Sequence, residues 1–328
     1  MLNIEHLNKF YNINKKSILD HGLPWAKFIL LSENDPERER IKRLLLLDHN
    51  IKKVICRLSD PKSGIISLSS TPADYRVYGS FYWNLRFLAD IGLDGDELGI
   101  GKLIRRLQLQ QLEDGQFMVR YHRNKQQTIS LICMTAHLIY CLIRLGYKKP
   151  ATVTAAMNFI LTTQRRDGGW HCDRLKQLGE HDEYTPSCPA ANIHVIRVLG
   201  QYGKKYESLI QPAIDQILKI FNYPSLNNCE FDSQQPMNFN KLRYPPHYTG
   251  LDILNVIHSL SFSRDLIANS NFIRLVDMIL NHWDGKNWLR SEKRIPGWAS
   301  FDFCSKSGYS EWLTSLFLQA VERVSFIT

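Results

Sequence analysis

A chain of 328 residues, 44% hydrophobic and 22% charged, has the composition of a globular protein and the length for a sizeable core, which argues against disorder, collagen-like repeats and a disulfide scaffold. Its formal charge of +9 falls largely in scattered doublets such as Lys42-Arg43, Arg105-Arg106 and Lys204-Lys205, and with no finger, homeodomain or RNA-binding signature beside them, nucleic acid is not an expected partner. No stretch approaches the ~18 apolar residues of a membrane span, the N-terminus lacks a signal-peptide core and the seven cysteines show no CxxC spacing, so the expectation is a cytoplasmic chain with reduced thiols.

Helix-period patterning sets the expected elements in chain order. An amphipathic helix over about 3–19 leads to an apolar helix beginning near Pro24, and an amphipathic helix over 36–59 leads to an apolar one beginning near Tyr75. Asp94-Gly95-Asp96-Glu97 reads as an interhelix turn with an acidic helix start. Further amphipathic helices are expected at 96–112, 150–165, 206–222 and 267–283, and apolar ones beginning near Thr128, Ser187, Tyr248 and Ser307. The apolar helices, TISLICMTAHLIYCLIRLGY above all, carry too few charges to face water all round and belong inside.

A repeated turn separates the two kinds of helix. Gln111-Leu-Glu-Asp-Gly-Gln-Phe117 recurs as Gln164-Arg-Arg-Asp-Gly-Gly-Trp170 and, one residue longer, as Asn281-His-Trp-Asp-Gly-Lys-Asn-Trp288. A degenerate copy is expected between Phe221 and Phe231. Gly permits the tight turn, after which the aromatic packs back on the helix just left. With a period of about 57 residues, six apolar and six amphipathic helices predict an all-α fold, a closed (α/α)6 barrel spanning 1–328 as a single domain. An open solenoid of helix pairs is the second choice, though its repeats would be shorter, near 34–47 residues.

The segment Phe159-Ile-Leu-Thr-Thr-Gln164-Arg-Arg-Asp-Gly168-Gly-Trp170 resembles the QW repeat of the prenyltransferase and squalene–hopene cyclase toroids. The resemblance implies an enzyme of terpene cyclase or prenyltransferase type that binds an apolar ligand, such as an isoprenoid diphosphate, in the central barrel cavity. It covers nearly the whole chain but specifies fold better than function, since complement thioester domains and lanthipeptide cyclases resemble the same toroid. The acidic DxDD motif of the triterpene cyclases is missing.

In such a barrel the loops after the turns and the starts of the apolar helices converge on one mouth, where helix dipoles favour an anion. Arg120, His122, Arg123 and Lys125 form its most basic sector. Tyr75, Tyr78, Tyr248, Tyr309 and Trp312 supply aromatic walls, with His122 and Arg123 as the other ligand-binding residues. Asp173 and His247 are the proton-transfer candidates, and Cys188, in the first turn of a helix, is a candidate thiolate. Cys172 with Cys188 would suit zinc, and a diphosphate ligand would bring magnesium. His137, His194 and His258 read as hydrogen-bonded core histidines, Cys133 and Cys141 as inert buried thiols. Two other classes stay open: a non-catalytic toroid that binds a peptide or protein partner at its mouth, and a zinc enzyme resembling the lanthipeptide cyclases.

Overall fold

The computed structural model describes residues 4–59, 81–120, 128–147, 150–171, 186–222, 242–244, 252–263, 265–291, 293–294 and 308–324. These residues are mostly helical, with two sheets of two strands each. They fall into two compact units, Leu46–Val198 and the remainder, Met1–Leu45 with Leu199–Thr328.

In the unit Met1–Leu45 with Leu199–Thr328, helices α1 (Ile4–His21) and α2 (Pro24–Leu30) both pack on α13 (Glu311–Val324). Pro24 at the first turn of α2 costs no hydrogen bond, because that N–H has no intrahelical acceptor. The buried Glu311 side chain accepts from the N–H of Leu23 at 2.6 Å, which ties the start of α2 to the first turn of α13. On the outer side of α1, Lys15 and Tyr11 both reach Glu322 of α13 at 2.7 Å.

The expected helix at 36–59 is two helices, α3 (Arg38–Leu47) and α4 (His49–Ser59). Asp48 makes the break: its Oδ1 accepts from the N–H groups of Asn50 and Ile51, the arrangement of an N-cap that starts a new helix. Periodicity carried across 48 hid a cap that a lone Asp before His49 would have signalled.

In the unit Leu46–Val198, α5 (Phe81–Ile91) packs against α4 and α7 (Ile132–Arg144), and α8 (Pro150–Thr162) lies on α7. All eleven residues of α5 are buried, as are Ile132–Leu142 of α7, which is what their lack of a polar stripe requires. Between α5 and α6 (Gly101–Gln108), Asp94 Oδ1 accepts from the N–H groups of Asp96 and Glu97. The acidic string there is an interhelix turn, as the sequence implies. A hairpin of β1 (Met118–Arg120) with antiparallel β2 (Thr128–Ser130) precedes α7, so this helix begins four residues later than expected.

The rest of the chain gives α9 (Pro189–Gly200), α10 (Glu207–Asn222), α11 (Ile253–Leu260) and α12 (Ser270–Leu280). β3 (Arg243–Tyr244) pairs in parallel with β4 (Lys293–Arg294). Asp252 caps α11 by accepting from Asn255 N–H, which places its start five residues after Tyr248. The degenerate turn expected at 221–231 lies beyond the described residues from 223 onward.

Candidate functional site

The repeated turn is a structural clamp, closed by a glutamine in its first two copies and locked to the following helix in all three. Gln111 Nε2 donates to the Gly115 carbonyl and Gln164 Nε2 to the Gly168 carbonyl, closing each turn from inside. Gly115 and Gly168 have φ of +94° and +81°, where a side chain is strained. At Gly115 there is no room either, since a Cβ would lie 2.3 Å from the Ala155 carbonyl oxygen of α8.

Each turn is then locked to the helix that follows it. Phe117 N–H donates to Thr135 Oγ1, Trp170 N–H to Asn192 Oδ1 and Leu289 N–H to Thr314 Oγ1, at 3.1, 2.7 and 2.9 Å. Thr135, Asn192 and Thr314 are each the fourth residue of their helix, α7, α9 and α13. This pattern corrects the alignment of the third turn. Leu289, fully buried, stands where Phe117 and Trp170 do, while Trp288 beside it is part-exposed. Trp170 is itself fully buried, with its indole N–H donating to the Ile160 carbonyl of α8 at 2.7 Å.

The third turn also leaves a cavity of about 510 Å³, lined by Asn281, His282, Trp283, Asp284, Arg290, Ser291 and Tyr309. Tyr309 donates to Asp284 Oδ2 at 2.6 Å, and Asn287 Nδ2 donates to the same oxygen at 2.7 Å. The Tyr309 hydroxyl, followed by the Asn287 donors, holds the Asp284 carboxyl well below the usual carboxylate range.

Of the residues singled out from sequence, Tyr75, Tyr78, His122, Arg123, Lys125, Cys172, Asp173, His247 and Tyr248 lie outside the described residues. Arg120 is half-buried at the end of β1. Tyr309 lines the cavity, whereas Trp312 is wholly buried in the first turn of α13. Cys188 is buried just before α9, its N–H donating to the Trp170 carbonyl at 2.7 Å. Among the described residues no three His, Cys, Asp or Glu side chains are grouped to hold a metal ion.

A constellation that the sequence reading missed lies in the core of Leu46–Val198. Arg86 and Asp90 of α5 form an ion pair, Nε to Oδ1 at 2.7 Å, with side chains 2% and 1% exposed. Tyr140 of α7 donates to the same Asp90 oxygen at 2.8 Å. Its ring has the Arg86 guanidinium at 4.4 Å and that of Arg197, from α9, at 5.6 Å. One turn back along the three helices, the His137 ring stands 4.9 Å from Trp83 and 5.5 Å from His194, edge-on to both. Two layers result, Trp83/His137/His194 and Arg86/Tyr140/Arg197, each with one side chain per helix. Spacing held the signal: Trp83, Arg86 and Asp90 share one face of α5 at i, i+3 and i+7.

His137 is hydrogen-bonded in the core, as expected, with Nε2 3.0 Å from the Tyr82 carbonyl. A carbonyl only accepts, so the proton is on Nε2 and Nδ1 carries a lone pair. Burial, reinforced by the Arg86 charge, lowers the His137 pKa to about 3 and keeps the ring neutral. Burial likewise pushes the Cys141 thiol far up, which makes it inert, as its apolar helix implied.

No family model matches the chain, and no curated protein is similar to it. The solved structures similar to it include two variants of the type II terpene cyclase MstE from Scytonema. One, in complex with geranylgeranyl dihydroxybenzoate, is 10% identical over 99% of both chains with a TM-score of 0.44. The other, without ligand, is 9% identical over 98% of both chains with a TM-score of 0.43.

Proposed function

We propose that this chain is an (α/α)6 toroid of terpene cyclase or prenyltransferase type that binds an apolar isoprenoid ligand, with any diphosphate group held at the basic sector of its mouth. The observation that carries the reading is the turn at 164–170. Gln164 closes it, Trp170 is buried on α8 and Asn192 locks it to the next helix, so the residues behind the resemblance to the isoprenoid-handling toroids act together as one unit. His122 and Arg123 would receive the anionic head, Tyr75, Tyr78, Tyr248 and Tyr309 would surround the apolar tail, and Asp173 or His247 would transfer the proton. Trp312, wholly buried, would shape that wall from behind. Cys188 would tie the start of α9 to Trp170 through its backbone N–H.

The test is incubation with geranyl, farnesyl and geranylgeranyl diphosphates in the presence of magnesium, with binding measured by calorimetry and products by mass spectrometry. Saturable binding of at least one, weakened by Arg123→Ala, supports the reading. No binding and no product from all three would overturn it in favour of a toroid with a peptide or protein partner.

A further inference from the structure

The cavity beside the third turn lies wholly in the unit Met1–Leu45 with Leu199–Thr328. Its volume, about 510 Å³, falls within the range of small-molecule sites, roughly 300–1,000 Å³. The walls are held in place. Trp283 is 6% exposed, and its ring packs on His6 at 5.2 Å and edge-on against Phe10 at 5.1 Å, both from α1. Arg290 and Tyr309 face each other as an antiparallel bridge, and the Arg290 N–H donates to the His282 carbonyl at 2.9 Å.

The two charges in this wall are unequally occupied. Asp284 Oδ1 accepts from the N–H groups of Lys286 and Asn287 at 3.0 and 2.8 Å, and Oδ2 accepts from Tyr309 and the Asn287 amide at 2.6 and 2.7 Å. Two donors on each oxygen use up the lone pairs of a carboxylate, so Asp284 keeps nothing for a ligand donor or a cation. Arg290 is the reverse case: its guanidinium makes no hydrogen bond or ion pair among the described residues. That side chain runs past Gly308, where an added Cβ would meet its Cγ and Nε at 3.7 and 3.8 Å. Its charge reaches the Tyr309 hydroxyl, opposing the rise in pKa that Asp284 imposes there.

The unused capacity selects the occupant. A cation meets the Arg290 charge and finds no open carboxylate, and a neutral molecule leaves the guanidinium without a counter-charge. An oxyanion offers two acceptors to the guanidinium fork, and the Asn281 amide, also without a side-chain bond among the described residues, supplies a further donor. The Trp283 and Tyr309 rings and the volume leave room for a carbon skeleton behind that group.

We infer that this cavity binds the carboxylate or phosphate group of a small organic molecule at Arg290. The inference goes beyond the proposed function and shares only Tyr309 with it; it requires no isoprenoid, no turnover and no residue of the sector 120–125.

The experiment titrates the full chain by calorimetry, at neutral pH and low salt, with hydrocinnamate, phenyl phosphate, the neutral hydrocinnamyl alcohol and inorganic phosphate. Hydrocinnamate or phenyl phosphate should bind with a Kd below about 1 mM, and the tighter of the two identifies the oxyanion. It should bind at least about tenfold more tightly than the alcohol or inorganic phosphate, the value of one charge-assisted hydrogen bond. Arg290→Met should remove that preference and Arg290→Lys should keep part of it. Neither variant loses a partner, so both should melt within about 2 °C of wild type. Tyr309→Phe, which unmasks an Asp284 lone pair, should weaken the anion and leave the alcohol unchanged. Failure of both organic anions to bind, equally tight binding of the alcohol or of inorganic phosphate, or undiminished binding by Arg290→Met overturns the inference. If the organic anion binds through Arg290 while the isoprenoid diphosphates fail, this site stands and the proposed function falls; if an isoprenoid diphosphate binds through Arg123 while both organic anions fail, the reverse holds.

Discussion

Replacing Trp170 by alanine tests whether the repeated turn is a clamp. The indole is fully buried and bonded to the Ile160 carbonyl at 2.7 Å. A buried Trp removes roughly 150–250 Å² from water, or about 4–6 kcal/mol at ~25 cal/mol per Å². Alanine keeps a fraction of that and the site closes in part, so the expected loss is about 3–5 kcal/mol. Trp170→Phe retains most of the contact and loses the N–H bond, for a cost of about 1–2 kcal/mol. Ile160 keeps a second donor, the Thr163 hydroxyl at 3.3 Å, which places the phenylalanine variant toward the lower end. Urea unfolding followed by helix circular dichroism separates the two. With a slope of about 3 kcal/mol per M, the alanine midpoint should fall by roughly 1–1.7 M and the phenylalanine midpoint by roughly 0.3–0.7 M. An alanine shift below about 0.4 M at unchanged slope would refute the clamp and leave Trp170 free for another role.

Two further outcomes follow from the same geometry. Gly115→Ala should destabilise the protein by about 2–4 kcal/mol, because φ of +94° strains any side chain and a Cβ meets the Ala155 carbonyl at 2.3 Å; Gly203→Ala, with φ of +57° and open space around it, should cost less, and a melting-temperature series that fails to rank them so contradicts the close approach. His137 has a folded pKa of about 3 against an ordinary 6.5, so between these values the unfolded chain binds the extra proton. Its contribution to stability is whole above pH 6.5 and is lost as pH falls toward 3. His137→Phe should flatten the melting-temperature profile over that window, and an unchanged profile would mean the ring is charged or exposed.

Several elements were legible before any coordinates. α2, α8, α9, α10 and α1 begin within two residues of where periodicity puts them, because burying one face of a helix imposes its period on the sequence whatever lies opposite. The turn glycines were legible as well, since positive φ is a local requirement. The Asp48 break in α3–α4 was missed although its cause is equally local, because an apolar period continued through it.

The lost tooth of the pattern, Leu289 in place of Trp288, shows where local information stops. Their neighbourhood in sequence is one turn, and only the bond from Leu289 N–H to Thr314, 25 residues on, tells which of the two belongs to the clamp. The core cluster is a stronger case. Arg86 and Asp90 at i, i+4 spacing look like any surface ion pair on a helix, and His137 and His194 like satisfied core histidines. Their convergence with Tyr140 and Arg197 joins residues 50 or more positions apart.

The sequence by itself determined the helical class, the order of most of the helices and the chemistry of the turns, all of which follow from the spacing of residues along one chain. The tertiary structure alone decided which side chains oppose one another across helices. That choice depends on how α5, α7 and α9 are rotated about their axes when packed, and a rotation of one residue, about 100°, would carry Arg86 away from Tyr140 without changing the period of the pattern.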